Sequence, residues 1–251
     1  MVRVVRTMPD ERAAVGDRSG RWPADPGWQV RGATWLAASV LFLLLLPASP
    51  LAPIGALAEP LDPLVRDDGR TRGSPKAPIT LVEYSDFTCG FCLKFFRETW
   101  PRIQAKYVET GKVRFLYRDY PRADRGPGLD AALAARCAGD QGQYWPMHDR
   151  LFSAGGRLDA AALHGHAKAI GLDPSRFSRC LQDARHTKSI FQDREQGVSL
   201  GFRGTPGFLL LRTDGGPKDP ALVIPGAFPF DIFEEQIERM LTNASGSRGK
   251  G

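Results

Sequence analysis

The chain is poor in the residues that most often announce chemistry. Its 251 residues include only four cysteines and four histidines, so each can be weighed singly. The histidines, His148, His164, His166 and His186, stand far from the first cysteines, whereas zinc sites normally need two cysteine pairs or a histidine close by. No metal and no cofactor are therefore expected. Apolar sequence of membrane-spanning length is also scarce: the most apolar run covers residues 33–46, with Thr34 and Ser39 inside it, and a span needs roughly 20 residues. The formal charge is +6, but Arg and Lys are scattered among acids without a clustered basic and aromatic face, which excludes a nucleic-acid partner. No internal repeat is found.

What is present suits one sizeable core with an appendage. Apolar residues make up 42% and charged residues 25%, the balance of a globular domain of ordinary size. Residues 1–32 are polar, with six Arg against four acids, and the apolar run that follows has the length of a signal-peptide core. Downstream, Ala56-Leu57-Ala58 offers the small-x-small pattern of a cleavage site. Residues 1–58 therefore read as a cleaved signal peptide in preference to an N-terminal membrane anchor, which Pro47 and Pro50 do not forbid. A buried core helix would show polar positions at helical spacing, and this run has almost none. The expected location is the periplasm or another extracytoplasmic space.

Residues 59–77 are rich in Pro, Asp, Arg and Gly without periodicity and predict a linker. Residues 79–85, Ile-Thr-Leu-Val-Glu-Tyr-Ser, predict a buried strand. Phe96, Trp100, Ile103 and Tyr107 then recur at helical spacing, with Pro101 expected to kink that helix. Residues 113–117 read as the next strand. Strand patterns vanish over residues 129–201, where breaks at Gly139, Gly155-Gly156 and Gly171 divide a helical block into four or five helices. Two strands near 207–211 and 221–224 and a helix from 230 to 241 close the domain. The fold class is α/β: βαβ (78–128), a helical insertion (129–201), then ββα (202–242), followed by a flexible tail (243–251).

The chemistry lies in Cys89-Gly90-Phe91-Cys92. A thiol attacks only as thiolate, and a cysteine at a helix N-terminus is held in that form by unpaired N–H groups and the helix dipole. Cys89 falls where the strand ends and the helix begins. It is expected to be the exposed nucleophile of low pKa, and Cys92, one turn further, the thiol that resolves a mixed disulfide. Haem attachment would need histidine next, where this chain has Leu93. Cys137 and Cys180 both fall in predicted helices among apolar neighbours, and in an exported chain they would otherwise be two idle thiols. They are expected to form a structural disulfide worth at most about 4 kcal/mol by chain entropy. Two separately buried free cysteines are the alternative.

Several segments in order resemble bacterial DsbA-like thiol-disulfide oxidoreductases: residues 79–92, Arg118-Asp119-Tyr120-Pro121, Met147-His148-Asp149-Arg150-Leu151-Phe152 and Gly204-Thr205-Pro206-Gly207-Phe208. The resemblance runs from about residue 74 to 241. It implies a thioredoxin fold with an inserted helical domain, in accord with the element order. It also implies that Thr205-Pro206 is a cis-proline loop lying against the cysteines and pairing with substrate backbone, and that Glu83 is a buried acid assisting proton transfer to the resolving thiol. An ordinary trans proline and an exposed strand carboxylate are the alternatives at those positions. The Gly90-Phe91 dipeptide departs from the Pro-His of the best-known oxidant, so the resemblance leaves oxidising strength open. The activity it implies is oxidation of cysteine pairs in exported proteins, with recharging by a membrane redox partner. A periplasmic reductase or isomerase, or a thioredoxin-fold copper metallochaperone, would use the same residues.

Overall fold

A computed structural model describes residues 65–215 and 221–248, and no more than the backbone for 244–248. The signal-peptide or anchor reading of residues 1–58 and the start of the expected linker lie outside the described residues. Among those described, no helix is long and apolar enough to cross a membrane.

Two strands carry the architecture. β1 (Thr71–Arg72) is a short edge, and β2 (Ile79–Ser85) and β3 (Val113–Asp119) are buried along their whole length. β2 and β3 run parallel, with Ile79 opposite Val113 and Ser85 opposite Asp119. Parallel neighbours need a crossover, and the helical run after Cys89 supplies it. It comprises α1 (Gly90–Lys94), a π-helical turn (Phe95–Thr99), α2 (Trp100–Ile103) and a second π-helical turn (Gln104–Val108). The kink expected at Pro101 takes this form. Proline donates no N–H and crowds the carbonyl four residues back, and the helix answers by widening, Trp100 N–H bonding to the Phe95 carbonyl five residues earlier.

The helical block consists of α3 (Pro127–Gly139), α4 (Tyr144–Ser153), α5 (Ala160–Ala169), α6 (Pro174–Asp183) and α7 (Thr187–Ser199). β4 (Gly207–Arg212) pairs antiparallel with β2 on the side away from β3, β5 (Leu222–Ile224) pairs with β4, and α8 (Phe230–Arg248) ends the domain. The sheet order is β1-β3-β2-β4-β5. Side-chain alternation splits β2 between two cores. Ile79 and Leu81 pack with Phe95, Phe115, Phe208 and Phe233, and Val82 and Tyr84 pack with Leu116, Phe202 and Leu209. A third core lies within the helical block and reaches the cysteines, joining Phe87, Cys89 and Cys92 to Met147, Phe152 and Phe177.

Two segments differ from the sequence reading. Helix α8 continues to Arg248, past the expected end of the folded part at 242. Once Phe230, Phe233 and Ile237 are buried, each further residue adds to an existing helix at little cost, and Thr242 Oγ1 bonds back to the Glu238 carbonyl. The described part of the expected linker is docked rather than loose. Thr71 and Arg72 pair with Leu116 and Phe115, and Arg70 is 4% exposed. Apolar periodicity could not show this, because charge holds the segment. Arg70 reaches Asp193 and, at 3.4 Å, Asp119. Arg136 donates 2.7 Å bonds to both of those carboxylates, and Asp193 also accepts the Asp119 N–H at 3.0 Å.

Asp193 thus joins the N-terminal arm, β3, α3 and α7. Removing one member of a buried ion network strands its partners' charges, at a cost of about 3–5 kcal/mol. Asp193→Ala should lower stability by that amount in urea unfolding, and a loss under about 1 kcal/mol would show that the arm does not depend on this carboxylate.

Candidate active site

β2 ends at Ser85, and the four residues that follow are shaped by a single carboxylate. Asp86 Oδ1 accepts the Thr88 N–H at 2.7 Å and the Thr88 hydroxyl at 2.6 Å. Its other oxygen accepts the Arg122 N–H at 2.9 Å and Arg122 Nε at 3.3 Å, and the Asp86 carbonyl accepts the Cys89 N–H at 3.0 Å. This turn delivers Cys89 in extended conformation (φ −83°, ψ 122°) as the N-cap of α1. Asp86 lies within the 79–92 segment, and apolar patterning assigns it no role. The signal that could have found it is the Asp-x-Thr spacing of an Asx-turn, in which the side chain takes the N–H two residues on.

The two sulfurs differ in environment. Cys89 is held at about 5, below the usual thiol value, by hydrogen bonding from Cys92, by the Thr205 hydroxyl and by the N–H groups of Cys92 and Phe91, against the opposing effect of burial. Cys92 is fully buried and pushed up, first by that burial and then by Cys89 and by the charge of Glu83. One proton shared between the sulfurs therefore resides on Cys92. Cys89 was expected to be exposed, yet only 5% of it is, because the loop before β4 and the core around Phe87 close over it. The residue that projects is Phe91, 68% exposed.

The structure brings Thr205 and Pro206 to the same sulfur. The Thr205-Pro206 bond is cis, and the Thr205 carbonyl lies 3.3 Å from Cys89 Sγ, accepting from the thiol. Thr205 Oγ1 is buried and has no other partner, so it is available to a thiolate, the state in which Cys89 needs a donor in place of an acceptor. Gly207 follows because a Cβ there would meet the Phe202 ring at 2.4 Å. Glu83, in β2 between Tyr117 and Phe208, is 3% exposed. Burial, reinforced by the charge of Cys89, pushes its carboxyl up to about 8. Beside the sulfurs opens an apolar groove of about 540 Å³ lined by Phe91, Phe202, Pro206, Val223 and Phe228. Phe91 and the Thr205-Pro206 loop lie in motifs that the sequence singles out, whereas Phe202, Val223 and Phe228 reach the groove only through tertiary folding.

Cys137 and Cys180 lie away from this groove and are joined in a disulfide between α3 and α6, with Cα atoms 5.8 Å apart. His148, from the Met147–Phe152 motif, is buried among aromatic rings of Phe87, Tyr117, Trp145 and Phe152. Burial lowers its pKa and favours the neutral imidazole.

A carboxyl raised in the folded state contributes stability that is fully present below its unfolded value, 4.5, and lost as pH rises through about 8. At pH 7 that loss is about 3 kcal/mol. Glu83→Gln should therefore remove the decline in stability across this window, making the variant more stable than the parent at neutral pH, as denaturant titrations at a series of pH values would read. Thiolate absorbance should separately give half-ionisation of Cys89 near pH 5. A Glu83→Gln profile parallel to that of the parent would place the carboxyl in water.

Comparison with known proteins agrees with this geometry. Residues 66–213 match the family described as Thioredoxin. The fold is similar to that of alpha-DsbA1 from Wolbachia pipientis, at 26% identity and a TM-score of 0.65, covering 74% of this chain and 98% of that one. It is also similar to a thioredoxin-like oxidoreductase from Silicibacter pomeroyi DSS-3, at 26% identity and a TM-score of 0.61, covering 72% of this chain and 97% of that one. Among curated relatives, the Na(+)/H(+) antiporter NhaA 1 of Salinispora arenicola is 36% identical over 155 residues, or 61% of this chain. The matched segment is only 23% of that protein's length, so the likeness concerns one part of a much longer chain. The family match spans more than half of the chain, which therefore belongs to the thioredoxin family, with a DsbA-like fold.

Proposed function

We propose that the chain oxidises cysteine pairs in exported proteins, with Cys89 exchanging with substrate and Cys92 resolving. The observation that carries this reading is the asymmetry of the two sulfurs, one held as thiolate near pH 5 and one buried and protonated. A substrate thiolate attacks Cys89 of the Cys89–Cys92 disulfide, and Cys92 leaves and takes up a proton. Glu83 is the buried acid that supplies it. The substrate's second thiolate then attacks its own sulfur in the mixed disulfide. Cys89 departs as a stabilised thiolate, and the two electrons stay on the Cys89/Cys92 pair. A good leaving group at Cys89 favours release of oxidised substrate.

The apolar groove beside Phe91 and the Thr205-Pro206 loop would hold an extended substrate segment by its apolar side chains. An extracytoplasmic location is supported by the Cys137–Cys180 disulfide, since such bonds persist in oxidising spaces. In that setting the reduced pair would be recharged by a membrane redox partner, for which the same groove is the accessible face.

The direction of exchange is set by the potential. Thioredoxin, with a thiolate pKa near 7 and a potential of about −270 mV, and DsbA, near 3.5 and about −120 mV, bracket this site. The lowered thiol of Cys89 stabilises the reduced pair, so against structural disulfides below roughly −300 mV electrons would run from substrate to enzyme. Redox titration of the Cys89/Cys92 couple tests this, and a value at or below that of thioredoxin would make the chain a reductant. Cys92→Ser should accumulate mixed disulfides with clients on non-reducing gels, while Cys89→Ser should form none. The opposite pattern would exchange the two roles, and stoichiometric copper with poor dithiol turnover would replace catalysis by metal carriage.

A further inference from the structure

We propose that Cys137, Asp140, Cys180 and His186 form a second site, closed by the disulfide and opened by its reduction, that takes a thiolate-preferring divalent ion such as Zn²⁺. The sulfurs, an imidazole nitrogen and a carboxylate oxygen of these residues all lie within 4.8 Å of one another. A structural disulfide explains why Cys137 and Cys180 meet. It does not explain the carboxylate and imidazole gathered on top of them.

Local structure assembles the four. Cys137 and Asp140 stand three residues apart at the end of α3, a spacing that puts them on one face. Helix α6 carries Cys180 and ends on Ala184 in left-handed conformation (φ 47°), which turns the chain back so that Arg185 and His186 reach Asp140. His186 Nε2 lies 2.8 Å and Arg185 Nη2 2.5 Å from Asp140 Oδ2. Cys180 Sγ is 3.4 Å from that same oxygen. A disulfide sulfur has no proton to donate, so in the oxidised protein this contact is not a hydrogen bond. The carboxylate faces a sulfur that becomes a donor, or a ligand beside it, only once reduced.

The donor set suits the ion. Two thiolates, one imidazole and one carboxylate are the ligand types of four-coordinate zinc, and sulfur donors select it over hard cations. With two thiolates and a carboxylate around a dication the site carries one net negative charge, which the guanidinium of Arg185 offsets. The sulfurs are buried, while Asp140 and His186 are 29% and 21% exposed at their side chains. They line a cleft of about 150 Å³ together with Arg70, Arg136 and Tyr144, and this cleft is the entry path.

The chemistry balances with a dithiol as reductant. The Cys137–Cys180 bond breaks on accepting two electrons and two protons from that dithiol, which becomes a disulfide. The ion then displaces both thiol protons to solvent and forms two metal–sulfur bonds without changing its own oxidation state. Disulfide sulfurs are poor ligands, so the oxidised site does not hold the ion.

The test uses the full chain carrying Cys89→Ser and Cys92→Ser, so that the catalytic sulfurs cannot bind metal, reduced with a phosphine under anaerobic conditions and titrated with Co²⁺ as the spectroscopic substitute for Zn²⁺. The expected result is one equivalent bound with a sulfur-to-cobalt charge-transfer band and tetrahedral d–d bands, and no such spectrum before reduction. Adding Cys180→Ser should abolish the charge-transfer spectrum of the full site, and adding His186→Ala should weaken binding by at least roughly 10-fold. Circular dichroism accompanies each sample. A reduced protein that stays folded without the band overturns the proposal, as does one that stays unfolded with Co²⁺ present, or a spectrum unaffected by His186→Ala.

Discussion

The site depends on negative charge settling on one sulfur, at the open end of a helix. Every neighbouring feature serves that outcome. The all-buried strand β2 fixes where the chain leaves the sheet, the Asp86 carboxylate fixes the turn, and the helix opening at Gly90 aims unpaired N–H groups at Cys89. Partial positive charge at a helix start falls off within the first turn, so a cysteine three residues further gains little of it. Burial then penalises the charged form of Cys92. The same fall in dielectric that strengthens the field at Cys89 raises the cost of ionising Cys92, and together they divide nucleophile from resolver.

Burial also gives Glu83 its use and its cost. A carboxyl with a pKa near 8 exchanges protons at neutral pH, which one near the usual value would not do as an acid. The fold holds it there at the expense of stability, and the surrounding sheet must supply the difference through apolar packing on both faces. The ion network around Asp193 follows another logic. Its charges are paired, and their contribution is to fix the docked arm and α7 against β3.

Much of this was legible in the sequence, because the pattern and the physics coincide there. Short apolar runs revealed the central strands, helical apolar spacing revealed the crossover and α8, and a cysteine at a strand-to-helix junction disclosed its own electrostatics. Residues 65–72 were not legible, since Asp68 and Arg70 act through partners more than forty residues away, and an aperiodic charged segment looks the same whether free or docked. Pro101 announced a disturbance but not its form as π-helical turns. The groove could be anticipated only in part: Phe91 and Pro206 lie in motifs, whereas Phe202, Val223 and Phe228 are ordinary apolar residues until the chain folds.

Two cysteine pairs share one core, and this raises the question of why they do not scramble. Cys89, Cys92, Cys137 and Cys180 all belong to the apolar cluster of the helical block. Exchange requires a thiolate to reach a disulfide sulfur and depends on access as much as on reactivity. Cys92 is completely buried and Cys137 and Cys180 are 1% and 2% exposed, so among these three no sulfur combines thiolate character with reach. Cys89 has the charge, but it faces the Thr205 carbonyl. The packing that protects the second disulfide from the first therefore also turns the reactive sulfur toward the Thr205-Pro206 loop, and selectivity for other proteins' cysteines follows from where that loop meets the apolar core.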